Sequence, residues 1–547
     1  MQHDVPHDIL YNVFRQHVLR ADSAKAAFKA GLPLLAVCQK WRRIAAPVVY
    51  GCMFVQHRDH ADRSCGNSSS SSTSSSEGAS GRTTTNINLI RAAGCGEAVW
   101  RVGIDVHFAA TPLGGFRAAA RLMGPAGGCW AGVRLLEIAV HPGQTAGYTA
   151  SPDLAASAAA LLVLKEIADM MLGVRVLALG GGSTHYSQVG DLYGHLAAHY
   201  AGRVLALSCR HPFAIPADQP FACLEAATVD YDHEVSHVIP RISTAQLARL
   251  SILNTPPNHP WAPFDDGLDA EAIAFPRLRT LRLRYDTICA QPVKGCPSWR
   301  PRELRFPSLD VAEIRCPAAA CPALQWAVLP RRMHALSISL QRGAFQRLAQ
   351  RPLPDVRHLT LGIYEGGCSD DTFLADTNCI FARAHKSETR ALNIYDYTLQ
   401  VRPCDLVGAA LTSLMVTAPV PASAVLELLT GLPGLKSLAL RALVADSVDP
   451  RIALPVPGAC LRVQPLGTAV SSLDIDIEPD QDPHGPPALV SKYLLLSIPA
   501  LSTFTARWAD RHDLAVFACA YAPQYPHLAT VDYVLEEDDD CSYDSDE

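Results

Sequence analysis

The chain has 547 residues, 49% of them hydrophobic and 18% charged, which is apolar enough for a large core and excludes wholesale disorder. At roughly 100–200 residues per domain, that length calls for several domains or one long repeat array. A net charge of −6 gives no global basic field that would recruit nucleic acid.

Residues 5–50 read as helical, with Ile9, Leu10, Val13 and Phe14 at helical spacing and Asp8 near the start. The first ten residues contain Asp4, Pro6 and Asp8 and lack the apolar core of a signal peptide. Residues 64–86, SCGNSSSSSTSSSEGASGRTTTN, form a serine tract. Serine buries too little apolar area to offset chain entropy, so a disordered linker or loop is expected there.

One signal then recurs from residue 87 to residue 535. Short apolar runs alternate with period two: VWRVGIDV from Val99, VRLLEIAV from Val133, VRVLALG from Val174, RVLALSC from Arg203 and LARLSIL from Leu247. LRTLRLRY from Leu278, MHALSISL from Met333, VRHLTLGI from Val356, TRALNIYDY from Thr389 and LTSLMVT from Leu411 continue it. The last are LKSLALRA from Leu435, VSSLDIDI from Val470, LSTFTARW from Leu501 and LATVDYVL from Leu528, with weaker members at Leu224 and Leu309. The central positions Leu250, Leu281, Leu336, Leu359, Leu392, Leu414, Leu438, Leu473, Phe504 and Val531 lie about 22 to 55 residues apart.

This is the L-x-x-L-x-L core of a leucine-rich repeat, whose regular period is roughly 20–29 residues. One such strand cannot bury its leucines alone, and stacking strands into a parallel sheet can. The expected fold is therefore α/β: a leucine-rich-repeat-like solenoid, with a curved parallel sheet and helices and loops outside it. Segments from Ser157, Val189 and Ala422 read as its helices, and NTPPNHPWAPF from Asn254 as a loop. Residues 536–547, EEDDDCSYDSDE, read as a solvated acidic tail in which Ser542 and Ser545 are candidate phosphorylation sites.

Seventeen cysteines, an odd number with no CxxC pair, read as free and mostly buried thiols of a reducing compartment. No apolar run is long enough to span a bilayer. A cytoplasmic or nuclear location follows by elimination, with no membrane and no nucleic-acid partner.

Three motifs invite a chemical reading and are read as structural. His233-Glu234-Val235-Ser236-His237 spells HExxH, but it follows a strand and meets Pro240, no third histidine follows at metzincin spacing, and the next glutamate is Glu271, across a proline-rich loop. Gly180-Gly181-Gly182-Ser183-Thr184 follows a strand without the phosphate-loop lysine and reads as a turn needing positive φ. Cys38 reads as a small buried hydrophobe. The sequence thus gives no catalytic, metal or cofactor site, and a metallohydrolase would rest on HEVSH alone.

Two stretches near the start carry a resemblance: V5-P6-H7-D8-I9-L10-Y11-N12-V13-F14, then L34-L35-A36-V37-C38-Q39-K40-W41-R42-R43-I44-A45-A46-P47. They resemble the Leu-Pro-x-Glu/Asp-Ile/Leu-Leu opening and the Val-Cys-x-x-Trp-Arg closing helix of an F-box or F-box-like domain. Val5 replaces the first leucine, Tyr50 stands near the usual closing tryptophan, and the middle segment is longer and richer in alanine. The whole layout resembles the large fungal families of F-box-like repeat proteins. The resemblance implies a small all-α module over residues 1–60 that docks a Skp-type adaptor of a cullin–RING ubiquitin ligase, while the solenoid holds a protein target. It further implies an adaptor contact through Pro6, Ile9, Leu10, Leu34 and Leu35, with Val37 and Trp41 packed inside. The alternative is a scaffold without a ligase link, in which these helices cap the solenoid.

If the leucines enter the core, the residues between them line the open sheet face. That face should carry Thr280, Arg282 and Arg284, then His358 and Thr360, then Asn393 and Tyr395, and finally Asp474 and Asp476. It should run from basic in the middle to acidic late, as a charged partner surface would.

Overall fold

The computed structural model describes residues 6–21, 23–59, 82–108, 111–124, 130–142, 154–181, 187–209, 221–230, 244–255, 272–285, 303–316, 327–341, 345–350, 353–364, 372–384, 386–395, 411–444, 454, 463–477, 486–506 and 511–534. In chain order the elements begin with α1 (His7–Leu19), α2 (Ala24–Ala36), α3 (Gln39–Val49), β1 (Cys52–Arg58), β2 (Arg82–Thr85), α4 (Ile87–Ala92) and β3 (Arg101–Phe108). Then come α5 (Leu113–Met123), β4 (Leu135–Pro142), α6 (Leu154–Met170), β5 (Val176–Gly180), α7 (Ser187–Tyr200), β6 (Ala206–Cys209), β7 (Ala226–Asp230) and β8 (Arg249–Thr255). Next are β9 (Ala272–Ala274), β10 (Thr280–Tyr285), β11 (Glu303–Arg305), β12 (Val311–Cys316), β13 (Ala327–Val328), β14 (Arg332–Gln341), α8 (Phe345–Ala349), β15 (Asp355–Tyr364), α9 (Thr372–Arg383) and β16 (Thr389–Ile394). The last are β17 (Ser413–Val416), β18 (Val420–Pro421), α10 (Val425–Gly431), β19 (Ser437–Val444), β20 (Ser472–Ile477), α11 (Pro486–Ser497), β21 (Thr503–Ala506), α12 (Arg511–Tyr521) and β22 (Asp532–Val534). No described helix is long and apolar enough to cross a membrane. The chain divides into two compact units, Met1–Leu278 with Pro297–Arg305, and Arg279–Cys296 with Phe306–Glu547.

The first unit carries an open, mostly parallel sheet whose strand order follows the chain. β1 pairs with β3, β3 with β4, and so on to β8, all parallel. β2 is the antiparallel exception and lies on the other side of β1. Period-two alternation turns this order into aligned apolar ladders. Met53, Val102, Leu136, Leu177, Leu207, Ala227 and Leu250 stack in one ladder. Val55, Ile104, Ile138, Leu179, Cys209, Val229 and Ile252 stack in the next, and every one of these side chains is buried. Each buried aliphatic side chain contributes about 1.5–3 kcal/mol of transfer free energy, so the ladders are the main stabilising feature. Between strands, α5 packs on α6 and α6 on α7, as same-handed crossovers require.

Helices α1 to α3 build their own apolar cluster from Phe14, Val18, Ala27, Phe28, Ile44, Val48 and Val49, continued by Cys52 and Phe54 of β1. Ser23 caps α2, its hydroxyl accepting from the Ala26 N–H at 3.1 Å. The helices approach closely at Gly31, where a Cβ would come within 2.6 Å of Val49 Cγ2.

Several expectations change here. The boundary expected near residue 60 is not one of compactness, because β1 extends the same ladders as β3 and belongs to the first unit. The expected linker ends earlier than residue 86: Arg82–Thr85 is β2, and the buried Asn86 side chain accepts from Phe54 N–H and donates to Cys52 O. Threonines suit a pleated strand where serines do not. The rest of the serine tract, the HEVSH motif and the acidic tail lie outside the described residues. Val37, expected inside, is 57% exposed, and Trp41 is only partly buried against Phe14, with ring centroids 4.8 Å apart. The expected stripe of α1 is rotated: Phe14 and Val18 point in, while Ile9 and Val13 point out. Cys38 is exposed, its sulfur accepting from Trp41 N–H at the start of α3. Among the described cysteines, Cys52, Cys209 and Cys316 are buried, but Cys38, Cys223, Cys379 and Cys519 are exposed. Gly181 meets its expectation with φ at +137°, and a Cβ there would strike the Val140 carbonyl.

In the second unit the open parallel strands again follow chain order, from β10 through β12, β14, β15, β16, β17, β19, β20 and β21 to β22, with β18 also on β19. Its central ladder is Leu283, Ile314, Ile338, Leu361, Leu392, Leu414, Leu438, Leu473 and Phe504, all buried. Leu361, not Leu359, therefore stands opposite Leu392, a two-residue slip that leaves every side chain on its expected face. Val531, expected as a strand centre, immediately precedes β22 and is buried there.

Candidate functional site

In both units the residues between the ladder positions form a second, polar face. In the first unit this face is built from small side chains: Gly103, Ala139, Ala178, Gly180 and Ser208 line a cavity of about 400 Å³. Ser23, Ala24 and Lys25, at the start of α2, form one wall. That wall is fixed by ionic contacts. Arg101, 3% exposed, donates from Nε to Glu137 Oε1 at 2.9 Å and from Nη2 to the Ala21 carbonyl at 2.9 Å. Glu137 Oε2 accepts from Ala24 N–H at 2.8 Å. A side-chain chain crosses the cavity: Lys25 Nζ donates to Gln56 Oε1 at 2.6 Å, and Gln56 Nε2 donates to Asp105 Oδ2 at 3.0 Å.

Asp105 sits among histidines. His107 is two residues along the same strand and stands directly opposite His141 of β4, so all three share the open face. Nε2 of each histidine lies 3.2 Å from Asp105 Oδ1, and the two rings stack with centroids 4.4 Å apart. Burial raises the Asp105 carboxyl, but His141, His107 and Gln56 outweigh it and hold the group below its ordinary range. Burial lowers the His107 imidazole; Asp105 opposes this, and His141 and Arg58 add to it. The site thus pairs a carboxylate with an imidazole biased toward its neutral form.

In the second unit the open face carries the residues singled out from sequence. Arg282 and Arg284 are exposed, and Thr280, His358, Thr360, Asn393, Tyr395, Asp474 and Asp476 are partly exposed. The register sorts most of them into rows. Thr280 and His358 share one row, Arg282 and Thr360 a second, and Arg284, Asn393 and Asp474 a third. At ~4.8 Å per strand, Thr280 and His358 are about 14 Å apart, and Arg284 and Asp474 about 34 Å. The face therefore suits an extended partner better than a small ligand.

Its charges are more balanced than sequence suggested. Glu313 lies between Arg282 (3.3 Å) and Arg315 (2.8 Å), and Asp474 pairs with Arg441 at 2.9 Å. Tyr364 and Tyr395 stack at 5.0 Å. Burial raises the Tyr364 hydroxyl, opposed by Arg315, which hydrogen-bonds it, and by nearby Arg284. His334 meets His358 edge to face at 4.8 Å, and His358 Nδ1 lies 2.8 Å from Thr389 Oγ1. Glu313, Arg315, Tyr364, Arg441 and His334 were missed from sequence. Alternation in VAEIRC would have found Glu313 and Arg315; ionic pairing across strands has no local sequence signal.

The residues assigned to an adaptor are not equivalent in the fold. Pro6 and Ile9 are exposed, whereas Leu10, Leu34 and Leu35 are partly buried and pack on the helical core. Ile9 and Val13, one helical turn apart, are 53% and 55% exposed. A scan of protein-family models and a search of curated proteins gave no match to this chain.

Proposed function

We propose that this chain is a protein-binding receptor of the leucine-rich-repeat-like solenoid type, with its target held on the polar face of the second unit and an adaptor engaged by the N-terminal helices. The observation that carries the target half is the row of Arg284, Arg315 and Asn393 on aligned strands, beside the stacked Tyr364 and Tyr395. Arginine and tyrosine are the residue types that anchor protein interfaces. The adaptor half is supported by exposed apolar side chains on a small helical module, namely Ile9, Val13, Leu32 and Val37. In the reading by resemblance, a Skp-type adaptor of a cullin–RING ubiquitin ligase docks on this module through Pro6, Ile9, Leu10, Leu34 and Leu35.

A second reading has an observation of its own. The Arg101–Glu137 contacts to Ala21 and Ala24 tie α2 to the sheet, as they would if the helices served only to cap it, leaving a scaffold with no ligase link. One experiment separates the two. The full chain and a Pro6→Ala/Ile9→Ala variant are tested for capture of a purified Skp-type adaptor, each beside a thermal melt. The receptor reading expects capture by the first, loss in the second and equal melting. Absence of capture by the unmodified chain at micromolar concentration sinks the adaptor half and leaves the scaffold.

A further inference from the structure

We propose that Asp105, His107 and His141 form a binding site for a divalent transition-metal ion of the Zn²⁺ type on the polar face of the first sheet. Among the described residues they are the one grouping whose ligand atoms, a carboxylate oxygen and two imidazole nitrogens, lie within 4.8 Å of one another. Two of the three edges already have metal-site dimensions. Bonds of ~2.0–2.1 Å set donor atoms roughly 2.9–3.4 Å apart, depending on whether the ion is six- or four-coordinate, and both Nε2 atoms stand 3.2 Å from Asp105 Oδ1.

A second observation points the same way. Asp105 Oδ1 is closed off from solvent, and the groups that face it are the Nε2 atoms of His107 and His141. A carboxylate oxygen held between two imidazole nitrogens, out of reach of water, offers with them three donor atoms to one ion. Its sister oxygen, Oδ2, is already oriented by Gln56, which Lys25 holds in turn, the supporting arrangement that fixes a ligating carboxylate. Two nitrogens and one oxygen are borderline donors, which suit Zn²⁺ and its neighbours rather than Ca²⁺ or Mg²⁺. Asp105 and His141 also line the cavity, so a fourth coordination position opens to a space large enough for a water or a carboxylate.

Two features oppose the ion and set its strength. The rings are nearly parallel, at 14°, so their in-plane lone pairs converge only after each ring turns about its soft Cβ–Cγ bond. Arg58, opposite His107 in the register, adds a positive charge. The site is therefore reversible rather than a structural clamp, and the chain folds without the ion.

The test uses the full chain, stripped with a chelator and then dialysed against Zn²⁺ or Co²⁺. The expected result is one ion per chain by elemental analysis. The Co²⁺ spectrum should show d–d bands without thiolate charge transfer, which excludes the exposed cysteines. His107→Gln/His141→Gln and, as a gentler change, Asp105→Asn should lose the ion while keeping the unmodified melting temperature in its absence. Gln56→Leu should weaken binding roughly tenfold. His233→Gln/His237→Gln should bind normally. Failure to retain an ion, a thiolate band, retention by Asp105→Asn, or loss in the His233/His237 variant instead would each overturn the site. None of these outcomes depends on adaptor capture.

Discussion

Replacing Glu137 with alanine isolates what joins the N-terminal helices to the first sheet. Glu137 is the acceptor for buried Arg101 and for the Ala24 N–H, and Arg101 reaches the Ala21 carbonyl. The change strips the carboxylate from a guanidinium that is 3% exposed. Breaking such a pair from one side costs about 3–5 kcal/mol, most of it the penalty of an uncompensated buried charge. Each kcal/mol moves the melting midpoint of a unit this size by about 2–4 °C, so a drop on the order of 10 °C is expected. Hydrogen exchange should quicken first in α2, whose N-terminus loses an acceptor. Arg101→Met/Glu137→Leu should recover much of the loss, because it removes both charges and keeps apolar bulk. A Glu137→Ala midpoint within about 2 °C of the unmodified chain, or exchange in α2 left unchanged, would refute the claim that this pair holds the helices on the sheet.

Asn86→Ala should cost about 1–3 kcal/mol, since the Phe54 N–H and Cys52 carbonyl lose their partner, whereas deleting residues 64–81 should leave the melt nearly unchanged because loop length changes closure entropy slowly; a denaturant titration of both compares them. The His199 imidazole is lowered by burial and by Arg203 and Lys165, with Asp169 opposing. A group whose folded pKa lies below its unfolded value makes the unfolded state the better proton acceptor, so stability falls as pH drops through about 6.5. Melts between pH 7 and 5 should show that fall, and His199→Gln should reduce it, leaving the part that His107 contributes.

The parallel strands were legible because strands have an unambiguous period. LRTLRLRY, TRALNIYDY and LKSLALRA each place alternate apolar residues in the core, and the observed burial agrees. Register was harder to read. VRHLTLGI offers Leu359, Leu361 and Ile363 at the same period, so a slip of two leaves every face intact and only neighbouring strands choose among the options. On α1, Ile9, Leu10, Val13 and Phe14 make one stripe whose orientation the spacing does not fix, and packing against α3 turned its Phe14 edge inward and left Ile9 and Val13 outside. The Asp105 cluster was invisible for a different reason. His107 and His141 fall just beyond the apolar runs that marked their strands and are 34 residues apart. Only the parallel register of β3 and β4 makes them neighbours.

Strand order that never doubles back has an evolutionary consequence. In the second unit Leu392, Leu414, Leu438 and Leu473 occupy one ladder, with 22 residues between the first two and 35 between the last two. Each step is a strand and its return, and it presents nearly the same edge to the preceding step as to the next one. Excising or duplicating one whole step leaves two matching edges to rejoin, whereas removing half a step leaves unpaired backbone. Such a chain can change its length in quanta, and its recognition surface lengthens or shortens with it while the core stays closed.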